Sequence, residues 1–179
     1  MFRVIGLVGR SRSGKDTVAD YLIQNNSAYR KVRLAQPIKE AVCSLYGFTP
    51  DQVEGQDKEN IDIRWGITPR QAMVHITHSL REFMGHDFFS KRLLDNLPNY
   101  PIIIPDVRYA EDIERIRSLG GLVIKIERPY STKHTFEDMI DTLEGDYFIK
   151  NDGNLEEFYK QIDSCTMIKV LPKNDFIQA

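Results

Sequence analysis

Short runs of apolar residues alternate along this chain with stretches that have helical periodicity. The runs, many of them rich in β-branched residues, predict six strands: Arg3 to Val8, Lys31 to Leu34, Ile102 to Pro105, Leu122 to Glu127, Tyr147 to Ile149 and Thr166 to Leu171. This alternation is typical of a mostly parallel sheet wrapped by helices. The pattern therefore predicts an α/β fold with three layers.

Helix signals fill the intervals between these runs. We predict helices from about Lys15 to Gln24, from Pro37 to near Gly47, from Thr68-Pro69 to about Phe83, from an Asp87 cap to about Asn96, from Tyr109 to Leu119, and from an Asn154 cap to about Ile162. Proline suits the first turn of a helix because the hydrogen bond that its nitrogen cannot donate is unpaired there anyway. Two segments look irregular and are expected to form loops: Thr49 to Gly66 and Pro129 to Asp146.

A glycine-rich segment joins the first predicted strand to the first predicted helix. It reads Gly9-Arg10-Ser11-Arg12-Ser13-Gly14-Lys15-Asp16-Thr17 and matches the G-x-x-x-x-G-K pattern of a P-loop, or Walker A motif. Glycines let successive backbone amides point at the β-phosphate, and Lys15 neutralises charge on the β- and γ-phosphates. The segment predicts an ATP site with contacts from Gly9, Arg12, Ser13, Gly14, Lys15, Asp16 and Thr17.

Asp16 departs from the usual motif, in which Ser or Thr offers a hydroxyl to magnesium. A carboxylate is also a hard oxygen ligand, so Asp16 and Thr17 are the candidate magnesium ligands. An acidic side chain is also favourable at a helix N-terminus for electrostatic reasons alone. The sequence leaves both roles of Asp16 open.

Composition narrows the classes of ligand. The chain has 179 residues, 41% hydrophobic and 28% charged, which is typical of one soluble globular domain. A net charge of -2 argues against a nucleic-acid polymer as partner, and no apolar run is long enough to cross a membrane. Cys43 and Cys165 are far apart and suggest neither a disulfide framework nor a zinc site. We therefore expect small anionic substrates and a reducing, cytoplasmic setting.

Further candidates lie outside the loop. Asp106 and Arg108 follow an apolar strand, and open parallel sheets bind ligands at the carboxyl ends of their strands. Asp106 can hold a magnesium-bound water or orient the phosphoryl acceptor, with a helix cap as the alternative. Arg108 can point a guanidinium the same way, with a surface ion pair as the alternative.

Cations on the predicted helices are candidates for the acceptor pocket. An acceptor phosphate must approach other phosphates, so it requires positive charge, and Lys39, Arg70 and Arg81 can supply it. The alternative for each is a solvated helix face. The acidic run of Asp57, Glu59 and Asp62 is expected to lie in a solvated loop.

With the G-K-D variant of the loop, nearly the whole chain resembles deoxynucleoside monophosphate kinases of the phage and viral type, and more distantly phosphomevalonate kinase. The resemblance is carried by Leu34 to Ala41, Thr68-Pro69-Arg70, Pro105-Asp106-Val107-Arg108, Glu127-Arg128-Pro129, His134-Thr135-Phe136-Glu137 and Asn151-Asp152-Gly153. Phe136 departs from the small residue that most members have before the final glutamate. His86 to Phe89 resembles the phosphomevalonate branch.

The resemblance implies a single P-loop kinase domain over residues 1–179 that transfers the γ-phosphoryl group of ATP, with magnesium, to a deoxynucleoside monophosphate. It implies a helical acceptor-binding insertion at about 36–97, a lid at about 128–146 and an adenine loop at Asn151 and Asp152, for which a plain turn is the alternative. The catalytic candidates are Lys15, Asp16, Asp106, Arg108 and Arg128. The acceptor-site candidates are Lys39, Arg70, Arg81, Asp106, Arg108, His134 and Glu137.

Two alternatives stay open at this point. One is a kinase for phosphomevalonate or another small phosphate compound, and the other is a nucleotide-binding regulatory ATPase. The cations of the lid-like segment argue against the regulatory protein, because a switch does not need them. Base preference and oligomeric state are also open, with a homodimer among the options, and the cytoplasm would be that of a host if the protein is viral.

Overall fold

The computed structural model describes residues 2–55, 57–129 and 138–164. Its sheet has five strands in the order β2-β3-β1-β4-β5, and all neighbouring strands are parallel. The strands are β1 (Val4–Val8), β2 (Arg30–Lys31), β3 (Ile102–Val107), β4 (Leu122–Glu127) and β5 (Tyr147–Lys150). Four predicted strands are confirmed, the second is shorter and shifted, and the predicted strand 166–171 lies outside the described residues.

Helices cover both faces of this sheet. They are α1 (Lys15–Asn25), α2 (Gln36–Tyr46), α3 (Pro50–Val53), α4 (Pro69–Met84), α5 (Phe88–Leu94), α6 (Ala110–Ser118), α7 (Asp138–Thr142) and α8 (Leu155–Ser164). Ile5 and Leu7 of β1 pack with α1 and α8, whereas Val4 and Val8 pack with α2, α5, α6 and α7. Alternate residues of a strand point to opposite faces, so these are two separate layers of helices. The predicted three-layer α/β fold is confirmed.

A smaller apolar cluster lies beyond the sheet, between α2, α3 and α4. Its buried members are Val42, Phe48, Val53 and Ala72. Part of the segment 49–66, which the sequence predicted to be irregular, belongs to it: α3 has a capping box formed by Thr49 and Gln52, and a 3-10 turn follows at Asp57–Glu59. The helices between residues 36 and 97 therefore have a local core of their own.

Side-chain caps decide where several helices begin. Thr68 accepts a hydrogen bond from the Gln71 N–H at 3.1 Å before α4, and Asn154 accepts one from the Glu157 N–H at 2.9 Å before α8. Both predicted caps are confirmed. Asp87 does lie at the N-cap position of α5, as predicted, but its side chain makes no capping hydrogen bond. Its backbone lies at φ -88 and ψ 6 instead of in the extended region, and its carboxylate contacts Arg115 at 3.4 Å.

The prediction that Asp62 is solvated is also wrong. Its side chain is 6% exposed, and it accepts hydrogen bonds from the Arg64 side chain at 2.9 and 2.7 Å and from the Arg64 backbone N–H at 3.0 Å. These bonds to Arg64 lower the pKa of Asp62 to about 2.

No helix among the described residues is long and apolar enough to cross a membrane.

Candidate active site

The backbone of the phosphate loop is held in place by close contacts at two glycines. A Cβ atom at Gly9 would lie 2.3 Å from the carbonyl oxygen of Ile126, and one at Gly14 would lie 2.7 Å from the Asn151 amide nitrogen. Gly14 also has φ +107, which L side chains rarely adopt. Glycine is therefore required at both ends of the loop.

Lys15 is folded back onto this loop. The residue is 9% exposed, and its Nζ donates hydrogen bonds to the carbonyl oxygens of Gly9 and Arg10, both at 2.6 Å. The ammonium group therefore lies where the loop curves, next to the backbone amides that a phosphate would meet.

A cavity of about 330 Å³ opens beside the loop. It brings together predicted residues from three parts of the chain, and its lining is Arg12, Gly14, Lys15, Asp16, Thr17, Arg128, Asn151, Gly153, Leu155 and Phe158. The Asn151 amide donates to the carbonyl oxygen of Ser13 at 2.9 Å, which attaches the predicted adenine loop to the phosphate loop. The exposed Asp152 side chain instead pairs with Lys150 at 2.8 Å.

Asp16 contacts two cations that the sequence analysis did not identify. Its Oδ1 lies 2.5 Å from the Arg33 guanidinium and 3.4 Å from Lys31 Nζ, and Lys31 also pairs with Asp20 at 2.6 Å. Burial tends to raise the pKa of Asp16, but the charges of Arg33 and Lys31 outweigh this effect and hold that pKa below its ordinary value. The spacing of Lys31 and Arg33, two apart at the end of a strand, is the signal that could have placed both on one side.

Asp16 and Thr17 are suited to magnesium. The Asp16 side chain is 57% exposed, and both residues line the cavity. No group of three or more His, Cys, Asp or Glu among the described residues could hold a metal without help. Magnesium in kinases is commonly held by one or two protein oxygens together with substrate phosphates, and this donor set meets that requirement.

Asp106 fixes the start of α2. Its two carboxylate oxygens accept backbone N–H bonds from Leu34 and Ala35, each at 2.9 Å. These two N–H groups belong to Ala35, at the N-cap position, and to the residue before it, so Asp106 fixes the turn that leads into α2 from the end of β3. The same bonds explain why β2 is short, because residues 34 and 35 turn towards Asp106. Burial raises the pKa of Asp106, although these N–H groups and the charges of Arg33 and Arg108 oppose the rise.

Arg81 is not on a solvated face. It is 5% exposed and forms a buried ion pair with Asp112, whose oxygens lie 3.0 and 3.3 Å from Nη2. Its guanidinium carbon lies 3.7 Å from the centroid of the Tyr109 ring. The Nε and Nη1 atoms are buried and have no hydrogen-bond partner among the described residues. Burial raises the pKa of Asp112, against the opposing charge of Arg81.

Lys39 and Arg70 lie close to a third cation, Lys58. Burial lowers the pKa of Lys58, and the charges of Arg70 and Lys39 add to this effect. Lys39 pairs with Glu54, and Arg70 pairs with Glu59. Three cations of the region 36–97 therefore lie together with two carboxylates, Glu54 and Glu59, whose charges oppose the shift of the Lys58 pKa. Two of these cations were predicted from the sequence, and Lys58 was not.

The predicted lid is described only at its two ends. Arg128 follows β4 and lines the cavity, and His134 and Glu137 lie outside the described residues. At the far end, Ile140 and Leu143 are buried in the main core, and Asp141 pairs with Arg10 of the phosphate loop. The segment around α7 is thus attached directly to the loop.

Comparison with known proteins identifies the family of this chain. The sequence profile of the family described as deoxynucleotide monophosphate kinase matches residues 3–67 and 73–162. A protein of Acanthamoeba polyphaga mimivirus whose name places it in this family is 33% identical, over 90% of this chain and 95% of its own. The deoxynucleotide monophosphate kinase of Enterobacteria phage T4 is 24% identical, over 94% of this chain and 100% of its own.

A solved structure shares the fold. The protein TT1252 from Thermus thermophilus superposes with a TM-score of 0.52 at 14% identity, covering 94% of this chain and 98% of that one. At this identity the similarity concerns the fold alone. The family match covers most of the chain on both sides of the phosphate loop, so this protein belongs to the deoxynucleotide monophosphate kinase family.

Proposed function

We propose that the protein transfers the γ-phosphoryl group of ATP to deoxynucleoside monophosphates and releases the diphosphates. The observation that carries the proposal is the phosphate loop, with Lys15 buried in its curve and a cavity beside it, in a chain of this family. Phosphoryl transfer requires positioning and charge stabilisation, and no covalent intermediate with the protein is needed.

ATP occupies the cavity beside the loop. The amides from Gly9 to Thr17 and the Lys15 ammonium bind its phosphates, Arg12 adds charge, and Asn151 with Asp152 contacts the adenine. The bond between Asn151 and the Ser13 carbonyl supports this, because it holds the base-binding residue at the phosphate loop.

The monophosphate binds on the side of β3 and α2, between the sheet and the helices of residues 36–97. Lys39, Arg70, Arg81 and Arg108 supply positive charge to its phosphate, and Asp106 orients the attacking oxygen. The grouping of Lys58, Lys39 and Arg70 supports this assignment, as do the Nε and Nη1 atoms of Arg81, which have no hydrogen-bond partner among the described residues.

Magnesium, when bound, neutralises charge on the donor phosphates, and Asp16 with Thr17 would hold it there. The lid predicted at about 128–146 would act on the reacting phosphates and on the acceptor through Arg128, His134 and Glu137, whereas Ile140 and Leu143, which are buried in the main core, belong to its fixed end. Closure of the lid excludes water, which would otherwise hydrolyse ATP.

The phage and mimivirus relatives support an enzyme that acts in the cytoplasm of a host.

A coupled assay that follows ADP release tests the proposal. ATP and magnesium are combined with each of dAMP, dCMP, dGMP and dTMP, and with phosphomevalonate. We expect turnover with at least one deoxynucleotide and none with phosphomevalonate. Turnover with phosphomevalonate alone would replace the proposal with the other kinase, and ATP binding without an acceptor would favour the regulatory ATPase.

A further inference from the structure

Arg33 lies between two carboxylates of the candidate active site, although no motif of the sequence marks it. Its Nη2 is 2.5 Å from Oδ1 of Asp16, at the start of α1. The next two residues, Leu34 and Ala35, donate their backbone N–H groups to the two oxygens of Asp106, at the end of β3. The segment 33–35 therefore connects the phosphate loop to the strand end where the acceptor is proposed to bind.

The two carboxylates hold this segment in different ways. Asp106 is engaged through both oxygens by backbone groups, so it fixes the path of the chain. Within the described part of the chain, the partners of Asp16 are side chains, and its Oδ1 is shared by Arg33 and Lys31. The Arg33 side chain is 33% exposed, and a partly exposed ion pair of this kind is weak enough to exchange partners.

We infer that Arg33 releases Asp16 during the reaction and instead binds the phosphate of the deoxynucleoside monophosphate. The inference rests on the proposed function. A phosphate dianion offers two oxygens to the planar guanidinium, whereas Arg33 now binds one carboxylate oxygen that it shares with another cation. The departure of Arg33 also leaves the Asp16 carboxylate open to the metal that accompanies ATP.

Lys31 provides a matched control for this role. It contacts the same Asp16 oxygen, but its closer partner is Asp20 at 2.6 Å, one turn further along α1. Lys31 therefore stays with the helix when Asp16 changes partner. If the cations near Asp16 serve only to neutralise it, variants of Lys31 and Arg33 should behave alike.

Calorimetric titration of the full chain tests the exchange without turnover. Each of dAMP, dCMP, dGMP and dTMP is titrated into the parent protein, Arg33→Met and Lys31→Met in buffer that contains a metal chelator. Loss of a bidentate, charge-assisted contact should weaken binding of the best nucleotide by about ten- to a hundredfold in Arg33→Met. Lys31→Met should stay within about threefold of the parent, and thermal midpoints verify that both variants fold.

In a second titration, the variant is expected to bind the monophosphate more tightly than the parent. Asp16 competes with the nucleotide for Arg33, so Asp16→Asn should strengthen metal-free binding of the monophosphate by about threefold or more. The gain should vanish when Asp16→Asn is combined with Arg33→Met. Asp20→Asn removes a negative charge from the same helix without freeing Arg33, and it should leave the affinity unchanged.

Two results would overturn the inference alone. One is that Arg33→Met and Lys31→Met bind the monophosphate with equal affinity. The other is that Asp16→Asn still strengthens binding of the monophosphate when Arg33 is replaced by Met. A parent protein that neither binds nor phosphorylates any of the four nucleotides would instead overturn the proposed function, and the inference with it. The two failures are therefore distinguishable in the parent protein, before any variant is compared.

Discussion

The buried ion pair between Arg81 and Asp112 allows structural and catalytic roles of one residue to be separated. Asp112 is 1% exposed and Arg81 5%, and Nη2 of Arg81 contacts both oxygens of Asp112. Removing one member of a buried pair typically costs about 3–5 kcal/mol, because the other charge stays buried and uncompensated. Asp112→Ala should therefore lower the free energy of unfolding by about that amount.

For a chain of this length each kcal/mol corresponds to a shift of about 2–4 °C in the thermal midpoint. The expected decrease for Asp112→Ala is therefore about 6–20 °C. Glu156→Ala is the control, since it breaks the exposed pair with Lys160 and should cost less than about 1 kcal/mol. Urea unfolding and thermal scans measure both changes. A loss below 1 kcal/mol in Asp112→Ala would refute the argument from burial.

The double variant Arg81→Met with Asp112→Leu tests whether Arg81 also binds the acceptor phosphate. Replacing a buried ion pair by apolar residues of similar size is often neutral or stabilising, so the double variant should regain parent stability. If the Nε and Nη1 atoms of Arg81 donate to the acceptor phosphate, it should still have a KM for the monophosphate at least about tenfold higher. A stable double variant with parent kinetics would show that Arg81 serves the fold alone.

Three further variants test other parts of the site and fold. Lys15→Ala should lower kcat by about a thousandfold in a protein that still folds, because it removes the charge that stabilises the transferring phosphates; a kcat within tenfold of the parent would contradict this role. Gly9→Ala should abolish measurable ATP binding in calorimetry, since its Cβ would meet the Ile126 carbonyl at 2.3 Å, whereas Gly66→Ala, which meets open space, should retain it. The pKa of Asp62 is depressed from 3.8 to about 2, so its contribution to stability is present above pH 3.8 and is lost as the pH falls towards 2. The free energy of unfolding, measured with urea over that range, should therefore change less with pH in Asp62→Asn than in the parent. An equal change in both proteins would argue against the bonds to Arg64.

The features that the sequence predicted well are encoded by neighbouring residues. The phosphate loop, the start of α4 at Thr68 and the start of α8 at Asn154 each depend on a few consecutive positions. Asp87 shows the limit of such reasoning, because a good capping residue does not cap when its backbone is not extended.

The features that it missed arise from contacts between distant segments. Arg33 reaches Asp16 only because β3 aligns β2 with the rest of the sheet, and Arg81 meets Asp112 across 31 positions, from α4 to α6. Helical periodicity could not indicate that Arg81 is buried, since a long cation on a helix is usually solvated. A single sequence carries no direct record of these pairings.

The topology of the sheet would bring the proposed donor and acceptor sites together at the phosphate loop. β1 lies between β3 and β4, and the helices that follow β1 and β3 lie on opposite faces, α1 on one and α6 on the other. Adjacent parallel strands whose connections leave on opposite faces open a crevice at their carboxyl ends. Asp16 borders this crevice from α1 and Asp106 from β3, while Asn151 lies on the β4 and β5 side. If ATP binds along β4 and the acceptor along β3, as proposed, their phosphates would therefore meet above the loop that carries Lys15.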